Sequence, residues 1–289
     1  SKSGAMTDVT FDPPVGIAEE LSPGLRRVLA PNPSPMTYKG TNTYLIGTRD
    51  LAVIDPGPDQ QAHLQAILKA VKPGQRITHI FVTHSHMDHS PLACGLQAVT
   101  GAPVLGFGPS GSGRSAVMTE LAATGLSSGG EGIDPDFVPD RLVADGEQVS
   151  GSDWVLEAIW TPGHLGNHLS FAWQDIVFTG DLVMGWASSL VSPPDGDLTD
   201  FMASCQRLRK RGAGCFHAGH GAPMHAPMAR LDWLITHRLA REAAILEVLA
   251  EAPATTSELA AAIYTDTPAA LIPAAKRNIL AHLVDLHVK

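Results

Sequence analysis

Residues 83–90, THSHMDHS, place three histidines and one aspartate within six positions, and this cluster constrains the fold more than any other feature. Protonated imidazoles at this spacing repel one another, and neutral ones are costly to bury without a polar partner. Imidazole and carboxylate groups are, however, the ligands that zinc and related divalent cations take in proteins. The cluster therefore predicts a metal site with these ligands: His84, His86, Asp88 and His89.

Three further candidate ligands follow segments that are typical of buried strands. The run ITHIFVTH (77–84) predicts a strand that ends at the cluster, and His164, Asp181 and His220 each follow another such run. Each of these three lies beside a glycine, where the backbone can turn sharply and approach a ligand. Five histidines and two aspartates exceed one tetrahedral site, so they fit two adjacent metal ions that share one carboxylate.

Alternating strand-like and helix-like segments predict a layered α/β fold for the first three quarters of the chain. Strands are predicted at 41–47, 51–57, 77–84, 103–108, 154–164, 168–173 and 175–181, and a strand followed by a loop at 214–221. Helices are predicted at 63–71, 115–123 and 200–211. Residues 108–140 are rich in glycine, serine and proline, which predicts an excursion over the surface.

The composition changes after residue 223, and three helices are predicted in the segment that follows. The first is predicted at 228–250 and the third at 273–287. The second is predicted to begin at an N-cap, which is Thr256 or Ser257. The predicted organisation is therefore a catalytic domain at 6–225 and a small helical module at 226–289.

The order HxHxDH at 84–89, followed by His164, Asp181 and His220, resembles the hydrolase signature of the metallo-β-lactamase superfamily over residues 24–225. The C-terminal segment resembles the winged-helix-type tail that one branch of this superfamily carries, and glyoxalase II is the nearest functional example. The resemblance implies an α/β fold, a four-layer αββα sandwich followed by a small winged-helix-like helical module.

The same resemblance implies a set of ligands for each metal ion. The first metal would be held by His84, His86 and His164, the second by Asp88, His89 and His220, and Asp181 would bridge them. The implied cofactors are two Zn²⁺ ions, with iron or manganese as alternatives. A hydroxide shared by two such ions attacks a substrate without a protein nucleophile. The candidate catalytic residues, Asp88 and Asp181, would act as metal ligands.

The implied enzyme is a dinuclear zinc hydrolase of a small acyl substrate, which is a thioester, a lactone or an ester. A β-lactam is less favoured, because enzymes that cleave β-lactams are usually exported. Two alternatives remain open. A metal-dependent phosphodiesterase or endoribonuclease would use the winged-helix-like tail, and a mononuclear iron sulfur dioxygenase would use much the same ligands. The complete ligand set disfavours a non-catalytic binding protein.

Other polar residues near the cluster are predicted to support the ligands. Asp55, in a DPG turn, is predicted to orient a ligating histidine, and His168 is predicted to lie beside the ligands without binding metal. Three more histidines are predicted to be structural or exposed: His79, His217 and His225.

The segment GPSGSGRS (108–115) resembles a P-loop, GxxxxGK[ST], but it has Arg114 where the motif has lysine. That lysine contacts the phosphates in a P-loop, so a surface loop is predicted here. Contact between Arg114 and an anionic substrate is a hypothesis.

Charge and composition bear on partners and location. The formal net charge is −9, and the segment from residue 228 onward contains six Lys/Arg and seven Asp/Glu. This balance disfavours nucleic acid as a partner. The helical module is instead predicted to pack on the main domain or to form a homodimer contact, and the predicted partner is a small-molecule substrate. No apolar run is long enough to span a membrane, no export leader is visible, and the three cysteines are dispersed, which predicts a cytoplasmic protein.

Overall fold

The computed structural model describes residues 10–127 and 132–289 of the chain. Positions 6–9 of the predicted catalytic domain and positions 128–131 of the glycine- and serine-rich segment lie outside the described residues. Two β-sheets stack face to face, and helices cover the outer face of each. The predicted four-layer αββα sandwich is therefore confirmed.

The first sheet has seven strands in chain order, and it changes from antiparallel to parallel at its fourth strand. The strands are β1 (Glu19–Ser22), β2 (Leu25–Leu29), β3 (Asn42–Ile46), β4 (Asp50–Ile54), β5 (Arg76–Phe81), β6 (Val104–Gly106) and β7 (Arg141–Leu142). Strands β4 to β7 run parallel, so each connection crosses over the sheet. The crossovers contain α1 (Gln61–Ala70), α2 (Leu92–Thr100) and α3 (Ala116–Ala123).

The second sheet has five strands in the order β12-β11-β10-β9-β8. They are β8 (Gln148–Ser150), β9 (Val155–Trp160), β10 (Leu169–Trp173), β11 (Ile176–Gly180) and β12 (Cys215–Ala218). Strand β12 pairs parallel with β11 after the crossover helix α4 (Leu198–Arg211). Since β10 runs antiparallel to both β9 and β11, strands β9, β11 and β12 end at the same edge of the sheet.

Alternation of side chains along the strands builds the core between the sheets. On β3, Tyr44 and Ile46 face the second sheet, whereas Leu45 faces the outer helices. Phe171 and Phe178 enter the same inner core from the second sheet, and both are fully buried. Burial of this apolar surface is the main force that holds the sheets together.

Helices complete the outer layers. Ile67 of α1 packs with Ile80 of β5 on the first sheet. Helix α5 (Pro227–Glu251) and α4 cover the second sheet, where Leu231 and Phe201 are fully buried in one cluster. Each helix therefore buries its apolar stripe against a sheet face.

The C-terminal helices form a small unit of their own. Helices α6 (Thr256–Ile263) and α7 (Ile272–Val288) pack on the second half of α5 around Ile245, Leu259 and Ile279. None of the described helices is both long enough and apolar enough to cross a membrane.

Helix α5 belongs to both packing units. Its residue Leu231 lies in the core beneath the second sheet, whereas Ile245 lies in the core of the C-terminal helices. Ala281 of α7 also joins the core beneath the second sheet. The domain boundary between residues 225 and 226 stays a prediction, since packing is continuous across it.

The N-cap of α6 differs from the prediction. The capping residue is Thr255, whose hydroxyl accepts a hydrogen bond from the backbone N–H of Glu258 at 3.2 Å. The prediction of Thr256 or Ser257 was wrong because Glu258 lies three residues after Thr255, which is the spacing of a capping box.

Candidate metal centre

The seven candidate ligands lie in loops that follow the carboxyl ends of strands. The THSHMDHS segment connects β5 to α2, so its four ligands come from the first sheet. His164 follows β9, Asp181 directly follows β11 and His220 follows β12 in the second sheet. Because these three strands end at one edge, the sandwich brings both sets of loops together.

Two glycines allow this close approach. A Cβ atom on Gly219 would lie 2.6 Å from Cε1 of His89 and 2.7 Å from Oδ1 of Asp181. Gly180 has a φ of 51°, and a Cβ there would lie 2.5 Å from Nε2 of His168. Any other residue at either position would push a loop away from the centre.

The candidate ligands form two adjacent groups of buried donor atoms. The first group is His84, His86 and His164, and the second is Asp88, His89, Asp181 and His220. Within each group the donor atoms all lie within 4.8 Å of one another. Oδ2 of Asp181 lies between the groups. It is 3.1 Å from Nε2 of His89 and 3.3 Å from Nε2 of His220 in the second group. It is 3.6 Å from Nε2 of His164 and 3.7 Å from Nε2 of His84 in the first group.

The spacing of the donor atoms fits metal ions. Nε2 of His164 lies 3.0 Å from Nδ1 of His86, and Nε2 of His220 lies 2.9 Å from Oδ2 of Asp88. Two ligand atoms about 2.1 Å from one zinc ion, at tetrahedral angles, are about 3.4 Å apart. The side chains are therefore already arranged at ligand spacing.

Three buried donor atoms of the centre are unsatisfied. Nε2 of His84, Oδ1 of Asp88 and Oδ1 of Asp181 have no hydrogen-bond partner in the described part of the chain. Buried polar atoms are normally hydrogen-bonded, and imidazole nitrogens and carboxylate oxygens are metal donors. The arrangement thus fits a metal-binding His/Asp site.

Backbone carbonyl groups orient two of the histidine rings. Nδ1 of His164 donates to the carbonyl oxygen of Leu190 at 2.7 Å, and Nδ1 of His220 donates to that of Gly40 at 3.1 Å. With the Nδ1 proton held in this way, the neutral form of each ring has its lone pair on Nε2, the atom that faces Asp181.

Asp55 orients two further rings, in agreement with its predicted role. Nδ1 of His89 donates to Oδ2 of Asp55 at 2.8 Å. The Thr83 hydroxyl donates to the same oxygen at 2.8 Å and accepts from Nδ1 of His84 at 2.8 Å. Asp55 therefore supports His89 directly and His84 through Thr83.

The two groups differ in charge. Burial lowers the pKa of His84 well below its usual range and that of His86 to about 3, so the first group is neutral. Burial also opposes protonation of His220, but the carboxylates of Asp181 and Asp88 outweigh it and raise its pKa to about 10. They similarly hold the pKa of His89 well above its usual range. In the absence of a metal ion, the carboxylates of the second group therefore favour protonation of its histidines, whereas the first group is neutral.

The histidines that lie close to the candidate ligands in sequence, outside the two groups, are structural or exposed. His168 is buried between the Thr161 hydroxyl, 3.0 Å from its Nδ1, and the backbone N–H of Asp181, which donates to its Nε2 at 3.3 Å. It therefore supports the Asp181 loop from behind. Among the others, His79 packs edge-on against Trp154, His217 is buried against Tyr44, and His225 is exposed.

Arg114 of the P-loop-like segment is already engaged in an ion pair with Asp195. The segment lies between β6 and α3, as its sequence suggested. The hypothesis that Arg114 contacts a substrate gains no support, because its guanidinium is directed to this carboxylate.

The residues that support His164 from behind were not predicted. Arg238 on α5 donates through Nη2 to the carbonyl oxygen of Ser189 at 2.6 Å and to the hydroxyl oxygen of Ser188 at 2.9 Å. The next residue, Leu190, accepts from His164, and Oγ of Ser189 lies 3.2 Å from Nδ1 of the same ring. Helix α5 therefore holds the loop that holds a candidate ligand. The signal available in the sequence was an arginine at an apolar position of the helical repeat.

A cavity of about 260 Å³ lies between this centre and the C-terminal helices. Candidate metal ligands line it together with Met184 and Trp186. The C-terminal helices and the residue that follows α6 contribute Arg238 and Arg241 of α5, Tyr264, and Asn278 and His282 of α7 to the same lining. A concave, partly apolar cavity with a few convergent polar groups is typical of a small-molecule site.

These features define a class of protein: an αββα sandwich with a His/Asp metal-binding cluster at its strand ends and a helical module beside it. Residues 36–220 match the family model of the Metallo-beta-lactamase superfamily, and residues 255–287 match that of the Beta-lactamase associated winged helix domain. The chain belongs to the metallo-β-lactamase superfamily and is a metal-dependent hydrolase with a winged-helix-type C-terminal module.

Its relatives span most of the chain. A Caenorhabditis elegans protein named beta-lactamase-like protein 2 homolog is 30% identical over 267 residues, 90% of this chain and 83% of that protein. An atrochrysone carboxyl ACP thioesterase from Aspergillus fumigatus is 29% identical over 269 residues, 86% of this chain and 76% of that protein. Among solved structures, a metallo-beta-lactamase family protein from Thermus thermophilus is 26% identical with a TM-score of 0.72, covering 93% of this chain and 94% of that one.

Proposed function

We propose that this chain is a dinuclear zinc hydrolase that cleaves a small acyl thioester. The observation that carries the proposal is the position of Oδ2 of Asp181 between two groups of buried donor atoms. In this proposal one zinc ion is held by His84, His86 and His164, the other by Asp88, His89 and His220, and both by Asp181.

Two zinc ions held by these ligands would lower the pKa of a water molecule toward neutrality and polarise the carbonyl oxygen of a substrate. Asp88 and Asp181 are the catalytic residues of the proposal, because both line the cavity and supply the negative charge of the centre. The carbonyl groups of Leu190 and Gly40 keep protons on Nδ1 of their histidines and leave Nε2 free to bind.

Trp186 provides a fixed apolar side of the cavity. Its Nε1 donates to the carbonyl oxygen of His220 at 3.2 Å, and its ring stacks on Tyr38 with 5.0 Å between ring centres. The ring therefore excludes water from one flank of the centre, next to the position where an acyl group would lie.

A thioester is preferred to a lactone or another ester because of one observation: a relative named a thioesterase aligns over 86% of the chain. The cavity volume of about 260 Å³ is slightly below the roughly 300–1,000 Å³ usual for small-molecule sites and fits a small substrate of any of these three classes.

The test is turnover by zinc-loaded protein on a panel of substrates, with bound metal counted by elemental analysis. The panel contains an S-acyl-N-acetylcysteamine thioester, a lactone, a β-lactam, bis(p-nitrophenyl) phosphate and single-stranded RNA. We expect release of free thiol from the thioester and two zinc ions per chain. Asp181→Asn should lose both, whereas the matched control Asp175→Asn, in the exposed turn before β11, should lose neither.

Other outcomes would replace the proposal. Cleavage of only the RNA or the phosphodiester would identify a nuclease and make the C-terminal module a clamp for its substrate. One iron ion per chain, with oxygen consumed on a persulfide substrate, would identify a sulfur dioxygenase.

A further inference from the structure

The C-terminal helices form part of the cavity lining that also contains the candidate ligands, and the polar groups of these helices have a distinct chemistry. Arg238 and Arg241 project from α5, and Asn278 and His282 project from α7. We call these four residues the C-terminal wall. Its members converge from two helices on one space.

The two arginines of the wall lack the partner that most arginines of this chain have. Arg209 and Arg211 on α4, for example, form ion pairs with Asp232 and Glu157. Neither Arg238 nor Arg241 has a carboxylate within ion-pairing distance among the described residues. Arg238 is buried and donates only to neutral oxygens, those of Ser188, Ser189 and Asn278. Arg241 lies over the ring of Tyr264, 4.2 Å from its centre, and this contact leaves its N–H groups available.

His282 is the second, independent observation. The side chain is only 1% exposed, yet neither ring nitrogen has a hydrogen-bond partner in the described part of the chain. Burial, with Arg238 nearby, lowers the pKa of His282 to about 4, so the ring is neutral and carries one N–H donor. Asp285, the carboxylate one turn further on α7, is engaged by Lys289 and Thr199. A buried polar group without a partner is unusual and indicates a missing ligand.

We propose that the C-terminal wall binds an oxyanion of the substrate, a carboxylate or a phosphate, while the acyl carbonyl lies beside the candidate ligands in the same cavity. The substrate class is then an anionic acyl thioester, an inference that rests on the function proposed above. Arg241 donates N–H groups to the oxyanion, and His282 donates one further N–H group. The positive charge of Arg238 compensates the negative charge of the oxyanion. Guanidinium groups suit this task because their planar N–H donors match the geometry of carboxylate and phosphate.

The test compares matched substrates that differ only in charge. S-glutaryl- and S-pentanoyl-N-acetylcysteamine share a five-carbon acyl chain, and only the former ends in a carboxylate. S-acetyl-4′-phosphopantetheine and S-acetylpantetheine differ only in a phosphate on the thiol side. We expect kcat/KM of zinc-loaded protein to be at least about tenfold higher for one anionic member than for its neutral partner, mainly through KM. The favoured pair tells whether the oxyanion belongs to the acyl chain or to the thiol.

Two variants connect this preference to the wall. Arg241→Gln should reduce the ratio of anionic to neutral kcat/KM toward one. Asn278→Asp keeps the acceptor for Arg238 but adds a negative charge, and it should reduce the ratio at least as far. The matched control, Arg209→Gln on the outer surface of α4, should leave the ratio and both rates unchanged. A wild-type ratio near one for both pairs, or a ratio that survives Arg241→Gln, would overturn the inference.

A binding measurement separates this inference from the proposed function. Titration calorimetry with glutarate and with inorganic phosphate is carried out on zinc-loaded wild type, Arg241→Gln and Arg209→Gln. Both variants keep all seven candidate ligands, so an affinity lost only in Arg241→Gln comes from the wall. If no thioester is cleaved but this loss is seen, the wall inference stands and the proposed function fails. If neither anion distinguishes the variants, the wall inference is wrong whatever the enzyme hydrolyses.

Discussion

The two groups of candidate ligands lie side by side but balance their charge in different ways. His84, His86 and His164 are neutral because burial lowers their pKa values more than the nearby carboxylates raise them. In the second group, by contrast, carboxylates raise the pKa of His220 to about 10 and keep the ring protonated. The first group can therefore accept a cation directly, whereas the second group must first release protons.

The groups also differ in what holds them. His89 in the second group depends on a buried carboxylate, Asp55, from the first sheet. His164 in the first group depends on the loop that Arg238 of α5 holds. The sandwich alone therefore supports the second group, whereas the first group also depends on a C-terminal helix.

The largest effect is expected from Asp181→Asn, because Oδ2 of Asp181 is the atom that the groups share. Turnover should fall by more than about 100-fold, the upper range for a residue that only orients a metal ligand. Zinc content should fall for both sites, as measured by elemental analysis. Loss of a single zinc ion would show that Asp181 belongs to one group only.

A large effect of pH is expected at the second group alone. Zinc binds the unprotonated imidazole, and the raised pKa of His220 means that chelator-stripped protein must release its proton. The affinity of the second site should rise about tenfold per pH unit for each proton released, up to about pH 10. The first site, where the pKa of His86 is about 3, should change little above pH 6.5. Calorimetry in buffers of different ionisation enthalpy measures the protons, and equal release at both sites would contradict the charge difference.

The same shift predicts how stripped protein responds to alkali. The pKa of His220 is about 10 in the folded chain and 6.5 in a model compound, so its pairing stabilises the fold fully below pH 6.5. That stabilisation is lost as the pH rises toward 10. Urea unfolding of stripped wild type should show this decline, and His220→Gln should flatten it.

An intermediate effect is expected when the supports of the groups are removed one at a time. Asp55→Asn should weaken zinc binding about 10- to 100-fold, most at the second group, because His89 loses its acceptor. Asparagine tolerates the φ of 56° found at this position, so the turn should survive. Arg238→Lys should weaken only the first group, since lysine does not reach both Ser188 and Ser189 as the guanidinium does. Competition with a chromophoric chelator resolves the two steps, and identical profiles for the two variants would show that the supports are not separate.

The smallest effect is expected from Thr255→Ala at the start of α6. Loss of the N-cap should cost about 1 kcal/mol of stability, measured by urea unfolding. Zinc affinity at both sites should remain unchanged, because α6 contributes no support to either group. A change in zinc affinity would show that the groups depend on the whole module and not on α5.

The sequence predicts the candidate donor atoms because their chemistry is concentrated. Four of them lie within six positions, and the other three each follow an apolar run that predicts a strand. Their division into two metal sites that share Asp181 was implied by the family resemblance and stays a prediction, although the structure brings the seven side chains into two adjacent groups.

The supporting atoms were less accessible to prediction. The carbonyl groups of Leu190 and Gly40 belong to the backbone, so the residue types in the sequence do not indicate these hydrogen-bond acceptors. Arg238 is a single polar residue in an apolar helical repeat, and only the tertiary fold directs it to Ser189. Strands β1 and β2 were missed because the segment EELSPGLRRVL mixes charged residues and a turn with its apolar positions.

The contacts of Arg238 have a thermodynamic consequence for the whole chain. Through one guanidinium, Asn278 on α7 connects to the loop of Ser188 and Ser189, and this loop connects to His164. Any preference of a bound cation for the correctly oriented ring is therefore also a preference for the docked position of α7. Because such coupling is reciprocal, the docked position of α7 raises the affinity of the centre for a cation, and a bound cation stabilises the docked position of α7.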